Sequence, residues 1–112
     1  MTIDLLVPRP AQKRRFSRAH QKFVPDRPGC YVLTTFSDEV LYVGLAVDLR
    51  RRMGNHLDDG AKTSETVLGR AIWFYWLETD DLPRGERTWM NIHNLEEGRL
   101  PLLNSVYSPT AT

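Results

Sequence analysis

The chain has 112 residues, of which 41% are hydrophobic, 26% charged and 10% aromatic, the profile of one globular domain with no room for a second. At this size folding buries roughly two thirds of the unfolded surface, so the core needs no metal or disulfide, and the single cysteine, Cys30, excludes an internal disulfide and a multi-cysteine metal cluster. No apolar run approaches the ~20 residues of a membrane span, the start lacks a signal-peptide pattern and the net charge is +1, so the expectation is a cytoplasmic protein with no membrane role.

The charge is unevenly spread. Residues 1–28 carry seven basic side chains (Arg9, Lys13, Arg14, Arg15, Arg18, Lys22, Arg27) against two acidic ones, whereas the remainder carries eight against twelve. A basic segment ahead of an acidic body suits phosphates, because each cation that neutralises one releases counterions, although a solvated helix face is the plainer account. Prolines 8, 10, 25 and 28 bracket residues 11–24, where Phe16, Ala19, His20 and Phe23 recur at helical spacing, so a short amphipathic helix is expected in a basic N-terminal arm over 1–27.

A domain over 28–112 follows. Residues 30–36 (CYVLTTF) and 39–44 (EVLYVG) are rich in β-branched and aromatic side chains and flank Ser37-Asp38, which predicts a β-hairpin with a two-residue turn. Asp48 is a good N-cap for a helix over 49–57. A loop over 58–64 and a helical turn over 65–70 come next. The apolar run 71–77 (AIWFYWL) is short enough to be a strand buried on both faces. Asp80 or Asp81 with Pro83 starts a helix that runs to Glu97 and stops at Gly98, and the tail after Pro101 is expected to be irregular. The fold class is α+β: a small three-stranded antiparallel sheet flanked by helices, with the basic helical arm in front.

A two-residue turn at Ser37-Asp38 sets Tyr42 opposite Leu33 and Gly44 opposite Tyr31, so Tyr31 and Tyr42 are diagonal neighbours on one face while Val32, Leu41 and Val43 point the other way. On the helix that follows, Leu49, Met53 and Leu57 form the apolar stripe, and Arg52 and His56, four apart, lie along its border. An arginine and a histidine beside two tyrosine hydroxyls suit phosphate chemistry. Each alone has a blander account, as a strand tyrosine, a solvated arginine or a surface histidine.

PGCY at 28–31, LYVG at 41–44 and LAVDLRRRMGNH at 45–56 resemble the GIY-YIG nuclease superfamily. That resemblance implies catalytic roles for Tyr31, Tyr42, Arg52, eight residues after Gly44, and His56, four further on. It implies a metal-binding glutamate on the last helix, for which Glu86 is preferred over Glu78, Glu96 and Glu97 because it shares a helix face with Trp89, Met90 and His93. It also gives supporting roles to Gly29, Gly44 and the Asn104 of PLLN. Cys30 and Val43 depart from the usual residues of the two tripeptides at positions that face away from the tyrosines.

The implied activity is metal-dependent endonucleolytic hydrolysis of phosphodiester bonds in DNA, including branched or damaged DNA. Mg²⁺ or Mn²⁺ would be held by Glu86, since hard divalent ions take oxygen ligands and keep most of their waters. Arg52 would grip the phosphate through paired N–H donors. Tyr31 would position or deprotonate the water, an action that an ordinary phenol with a pKa of about 10 achieves only beside a cation, and Tyr42 and His56 would assist. Lys13, Arg14, Arg15, Arg18 and Lys62 are candidate nucleic-acid contacts. The alternative is a non-catalytic nucleic-acid-binding module on the same fold. With little chain outside the catalytic core, specificity is expected from the arm, a homodimer or a partner protein.

Overall fold

The computed structural model describes residues 1–104. After a 3-10 turn at Ile3–Leu5, the elements in chain order are β1 (Gln12–Arg15), α1 (Arg18–Gln21), β2 (Gly29–Thr34), β3 (Val40–Ala46), α2 (Leu49–Leu57), α3 (Gly60–Thr63), β4 (Trp73–Glu78) and α4 (Leu82–Glu97). The strands form one antiparallel sheet in the order β1-β4-β2-β3. The class is α+β as expected, with four strands rather than three. Among the described residues no helix is long and apolar enough to cross a membrane.

The fourth strand comes from the segment expected to be helical. Gln12–Arg15 pairs with β4 and only Arg18–Gln21 forms a helix. The strand wins because β4, rich in aromatic residues, otherwise leaves a bare edge: Lys13 lays its ammonium 4.2 Å from the centre of the Trp73 ring, which backbone pairing brings within reach. Phe16 is buried as its spacing suggests, but Phe23 is exposed. Helical structure also falls earlier in the following loop than expected, at Gly60–Thr63, and 66–69 is a tight turn closed by Gly69 N–H to the Thr66 carbonyl at 3.0 Å.

The β2–β3 hairpin reaches the expected register at the tyrosines by a different route. The turn spans three residues, with Thr35 paired to Glu39, Asp38 N–H bonded to the Thr35 carbonyl at 3.0 Å, and Asp38 in the left-handed region at φ 69. The pairing slip is absorbed by a bulge at Leu41, after which Leu33 faces Tyr42 and Tyr31 faces Gly44. Leu41 is the residue that changes sides. It packs with Tyr31, Leu33 and Phe74, not with Val32 and Val43.

Two cores result, one on each face of the sheet. Leu49 and Met53 of α2 cover Tyr31, Leu33, Leu41, Tyr42, Phe74 and Trp76, joined by Phe16 and Val24. Trp89 and Met90 of α4 cover Cys30, Val32, Val43 and Tyr75, joined by Ile3 and Leu6 from the N-terminus. Helix α2 starts as expected, with the Asp48 carboxylate accepting from Arg51 N–H, and α4 ends at Gly98 in the left-handed region at φ 70.

The free edge of β3 is sealed by chain that folds back on it. Val40 N–H bonds the Met1 carbonyl at 2.8 Å, and Leu103 N–H bonds the Leu41 carbonyl at 2.9 Å. The Asn104 side chain completes the edge, accepting from Val43 N–H at 2.9 Å and donating to the Val43 carbonyl at 2.8 Å. Residues 105–112 of the expected irregular tail lie outside the described residues. Asn104→Ala leaves both Val43 groups without that partner and is expected to cost about 1–3 kcal/mol. Urea unfolding checks it: the midpoint falls while the slope stays unchanged.

Candidate active site

The site is built around the side chain of Tyr31, which is fully buried on the α2 face. Its ring lies between Phe74 at 5.0 Å and Tyr42 at 5.9 Å, both stacked on it. Its hydroxyl is 2.6 Å from Nε2 of His56 and accepts from Nε of Arg52 at 3.2 Å. Arg52 and His56 are four residues apart on α2, so one turn of helix delivers both partners to one oxygen. His56 also meets Tyr42 edge-on at 5.0 Å. Glycine at 44 is a condition of the cluster, because a Cβ there would stand 2.5 Å from the Tyr31 hydroxyl and ring. At Gly29 a Cβ would meet the Leu77 carbonyl at 2.6 Å and Leu49 at 2.8 Å, so that glycine lets α2 settle on the sheet.

Burial and local charge set the protonation of this cluster. Burial pushes the Tyr31 phenol well above its ordinary value; Tyr42 adds to the effect and Arg52 opposes it. The phenol therefore keeps its proton at neutral pH. His56 is driven the other way, down to about 3, by burial first and then by the positive charges of Arg52 and Lys62. Its imidazole is neutral, and Nε2 can accept the Tyr31 proton in the short bond between them.

The structure brings together Tyr31, Tyr42, Arg52, His56 and Lys62, whose ammonium is 4.9 Å from the centre of the Tyr42 ring. Glu86 is not among them. Spacing correctly puts Glu86 on one face of α4 with Trp89, Met90 and His93, all buried, but α4 covers the opposite side of the sheet. There Glu86 neighbours Cys30, whose thiol is raised to about 12 by burial first and then by Glu86. The Glu86 Oε2 atom is buried without a hydrogen-bond partner, and burial raises the carboxyl to about 7.

An ion on Glu86 would thus sit across the sheet from a phosphate held by Arg52. Among the described residues no three His, Cys, Asp or Glu side chains converge to hold a metal. The residues present do not fit a divalent ion shared between Glu86 and the Arg52 face.

The basic N-terminal side chains are also set apart. Lys13, Arg14 and Arg15 are exposed on β1, separated from β3 by the two central strands. Arg14 stacks its guanidinium over Phe23 at 4.6 Å, and Arg18 pairs with Asp58 just past the end of α2. The stacking role of Phe74 escaped the reading of the sequence. Its signal is the β2–β4 register, in which Phe74 lies opposite Leu33, and that pairing joins segments about forty residues apart.

Residues 27–94 match the model of the GIY-YIG catalytic domain, and the chain belongs to that family of nucleases. Among curated proteins it is 45% identical over 44 residues to UvrABC system protein C of Finegoldia magna, covering 39% of this chain and 7% of that protein. It is 40% identical over 63 residues to the protein of the same name from Hyphomonas neptunium, covering 53% of this chain and 10% of that one. A Mycobacterium tuberculosis protein named for two proposed activities, exonuclease and endonuclease, is 42% identical over 65 residues, covering 55% of this chain and 10% of that protein. The matched stretches are therefore a small part of these longer relatives.

Two pH effects follow, on opposite sides of the cluster. The folded pKa of His56 is depressed below its ordinary 6.5, so the stability it contributes is present above that pH and is lost as pH falls toward about 3. Its ring protons in NMR spectra are expected not to titrate between about pH 5 and 8. Glu86 has the reverse sign: raised from 4.5 to about 7, its contribution is full below 4.5 and is lost as pH rises through 7. Glu86→Gln is therefore expected to unfold at higher temperature than the parent above pH 7, with the difference shrinking toward pH 4.5, as thermal scans across pH would show.

Proposed function

We propose that this chain is a DNA endonuclease that hydrolyses phosphodiester bonds on the face formed by Tyr31, Tyr42, Arg52 and His56. One observation carries the reading: the buried Tyr31 hydroxyl joins His56 and Arg52, which holds an imidazole and a guanidinium in fixed relation at the border of the sheet. With Nε committed to Tyr31, the terminal nitrogens of Arg52 are the groups that hold two phosphate oxygens in paired N–H···O bonds and stabilise the charge that develops on them. Tyr31, fully buried and protonated, is a positioning residue. The His56 imidazole, neutral and accepting from Tyr31 at Nε2, holds that hydroxyl in place beside Arg52. Tyr42 walls the site beside it. The Mg²⁺ or Mn²⁺ implied by the resemblance is not built into these steps, given where Glu86 lies.

A second reading, a nucleic-acid-binding module without cleavage, is favoured by the fully exposed basic strand Gln12–Arg15. It would leave salt-sensitive DNA binding and no nicking.

Nicking of supercoiled plasmid in Mg²⁺, in Mn²⁺ and in a chelator separates the readings. Arg52→Ala is expected to lower the nicking rate by about 10²–10³-fold while its circular dichroism stays native. Undiminished cleavage by a folded Arg52→Ala protein would overturn the assignment. Tyr31→Phe, which keeps the stacked ring and removes only the hydroxyl, is expected to slow nicking with KM little changed.

A further inference from the structure

We propose that Lys62 is the second cation of this site and contacts the reacting phosphate together with Arg52, so that two cations beside the Tyr42–His56 pair hold the phosphate. The inference rests on the nuclease reading of this face. Lysines on short surface loops ordinarily extend into water. Lys62 does not: its side chain is only 15% exposed, its ammonium is 4.9 Å from the centre of the Tyr42 ring, and Asp59 holds it at 3.6 Å.

The turn that carries it is braced. Asp59 accepts from Ala61 N–H at 2.9 Å, and Ser64 donates its hydroxyl to the Gly60 carbonyl at 2.6 Å. Arg52 is anchored beside the same pair by Tyr31. Both cations therefore border the aromatic floor where a phosphate would rest, and Asp59, the partner of Lys62, is a surface group that a phosphate can replace.

The charge logic agrees with this placement. With Glu86 across the sheet, negative charge developing on phosphate oxygens is met here by cationic side chains, and two donors hold a tetrahedral group better than one. A structural lysine that merely pins α3 to Tyr42 would stabilise the fold and leave chemistry untouched. The two roles differ in what they predict.

The test uses the full chain with Lys62→Gln, Lys62→Arg and, as a charge-matched control on the α4 side, Arg87→Gln. Lys62→Gln is expected to lower kcat for plasmid nicking by about 10²-fold with KM within a few-fold, Lys62→Arg to recover most of it, and Arg87→Gln to match the parent. Parental kcat in Lys62→Gln, a rise in KM alone, or a loss that Lys62→Arg does not recover would overturn the proposal. If the parent does not nick, the nuclease reading fails and the clamp is judged by titrating inorganic phosphate while following the NMR signals of Tyr42 and His56. Affinity weakened by about tenfold in both Lys62→Gln and Arg52→Gln, but not in Arg87→Gln, supports it, and unchanged affinity in Lys62→Gln overturns it.

Discussion

A phenol with no exposed surface has to find its hydrogen bonds inside the protein, and the Tyr31 hydroxyl finds both on one helix. Much of the architecture follows from that constraint. Helix α2 has to lie over β2 and β3 at a height that brings Arg52 and His56 to the same oxygen. Gly44 has to be bare for the ring to lie flat, and Phe74 and Tyr42 fill the space on either side. The cluster is at once the centre of one core and the floor of the proposed site, so packing and chemistry cannot be altered independently.

The same burial sets the electrostatics. It keeps the proton on Tyr31 and removes it from His56, beside the charged Arg52. Burial first, and then the charges of Arg52 and Lys62, hold the basicity of the imidazole down, so it serves as an acceptor for the Tyr31 hydroxyl. The other face of the sheet is organised differently. Its groups are mostly apolar, and among its polar ones the carboxyl of Glu86, raised to about 7 by burial, has no partner at Oε2. That face supplies stability, with the N-terminus and α4 closing over it.

The tyrosines, Arg52 and His56 were legible because each relation among them is local. Hairpin pairing relates Tyr31 to Tyr42, and a helical turn relates Arg52 to His56. Even there the outcome depended on a cancellation: a three-residue turn and a bulge at Leu41 restored the pairing that a two-residue turn would have made. Glu86 marks the limit. Its neighbours along α4 follow from spacing, but which face of the sheet α4 covers depends on the path of the chain after β4. β1 was illegible for a related reason, since a strand at an edge owes its form to the partner that lacks one, and here that partner lies some sixty residues away.

Sequence alone determined the family, the α+β class, the starts and ends of α2 and α4, and the residues that meet at the Tyr31 hydroxyl, because these rest on interactions between near neighbours in the chain. Tertiary structure decided that the sheet has four strands, that Lys62 joins the cluster, that Asn104 seals β3, and that Glu86 lies on the far side. Those outcomes depend on contacts between distant segments, where burial and hydrogen-bond satisfaction across the whole fold outweigh local preference.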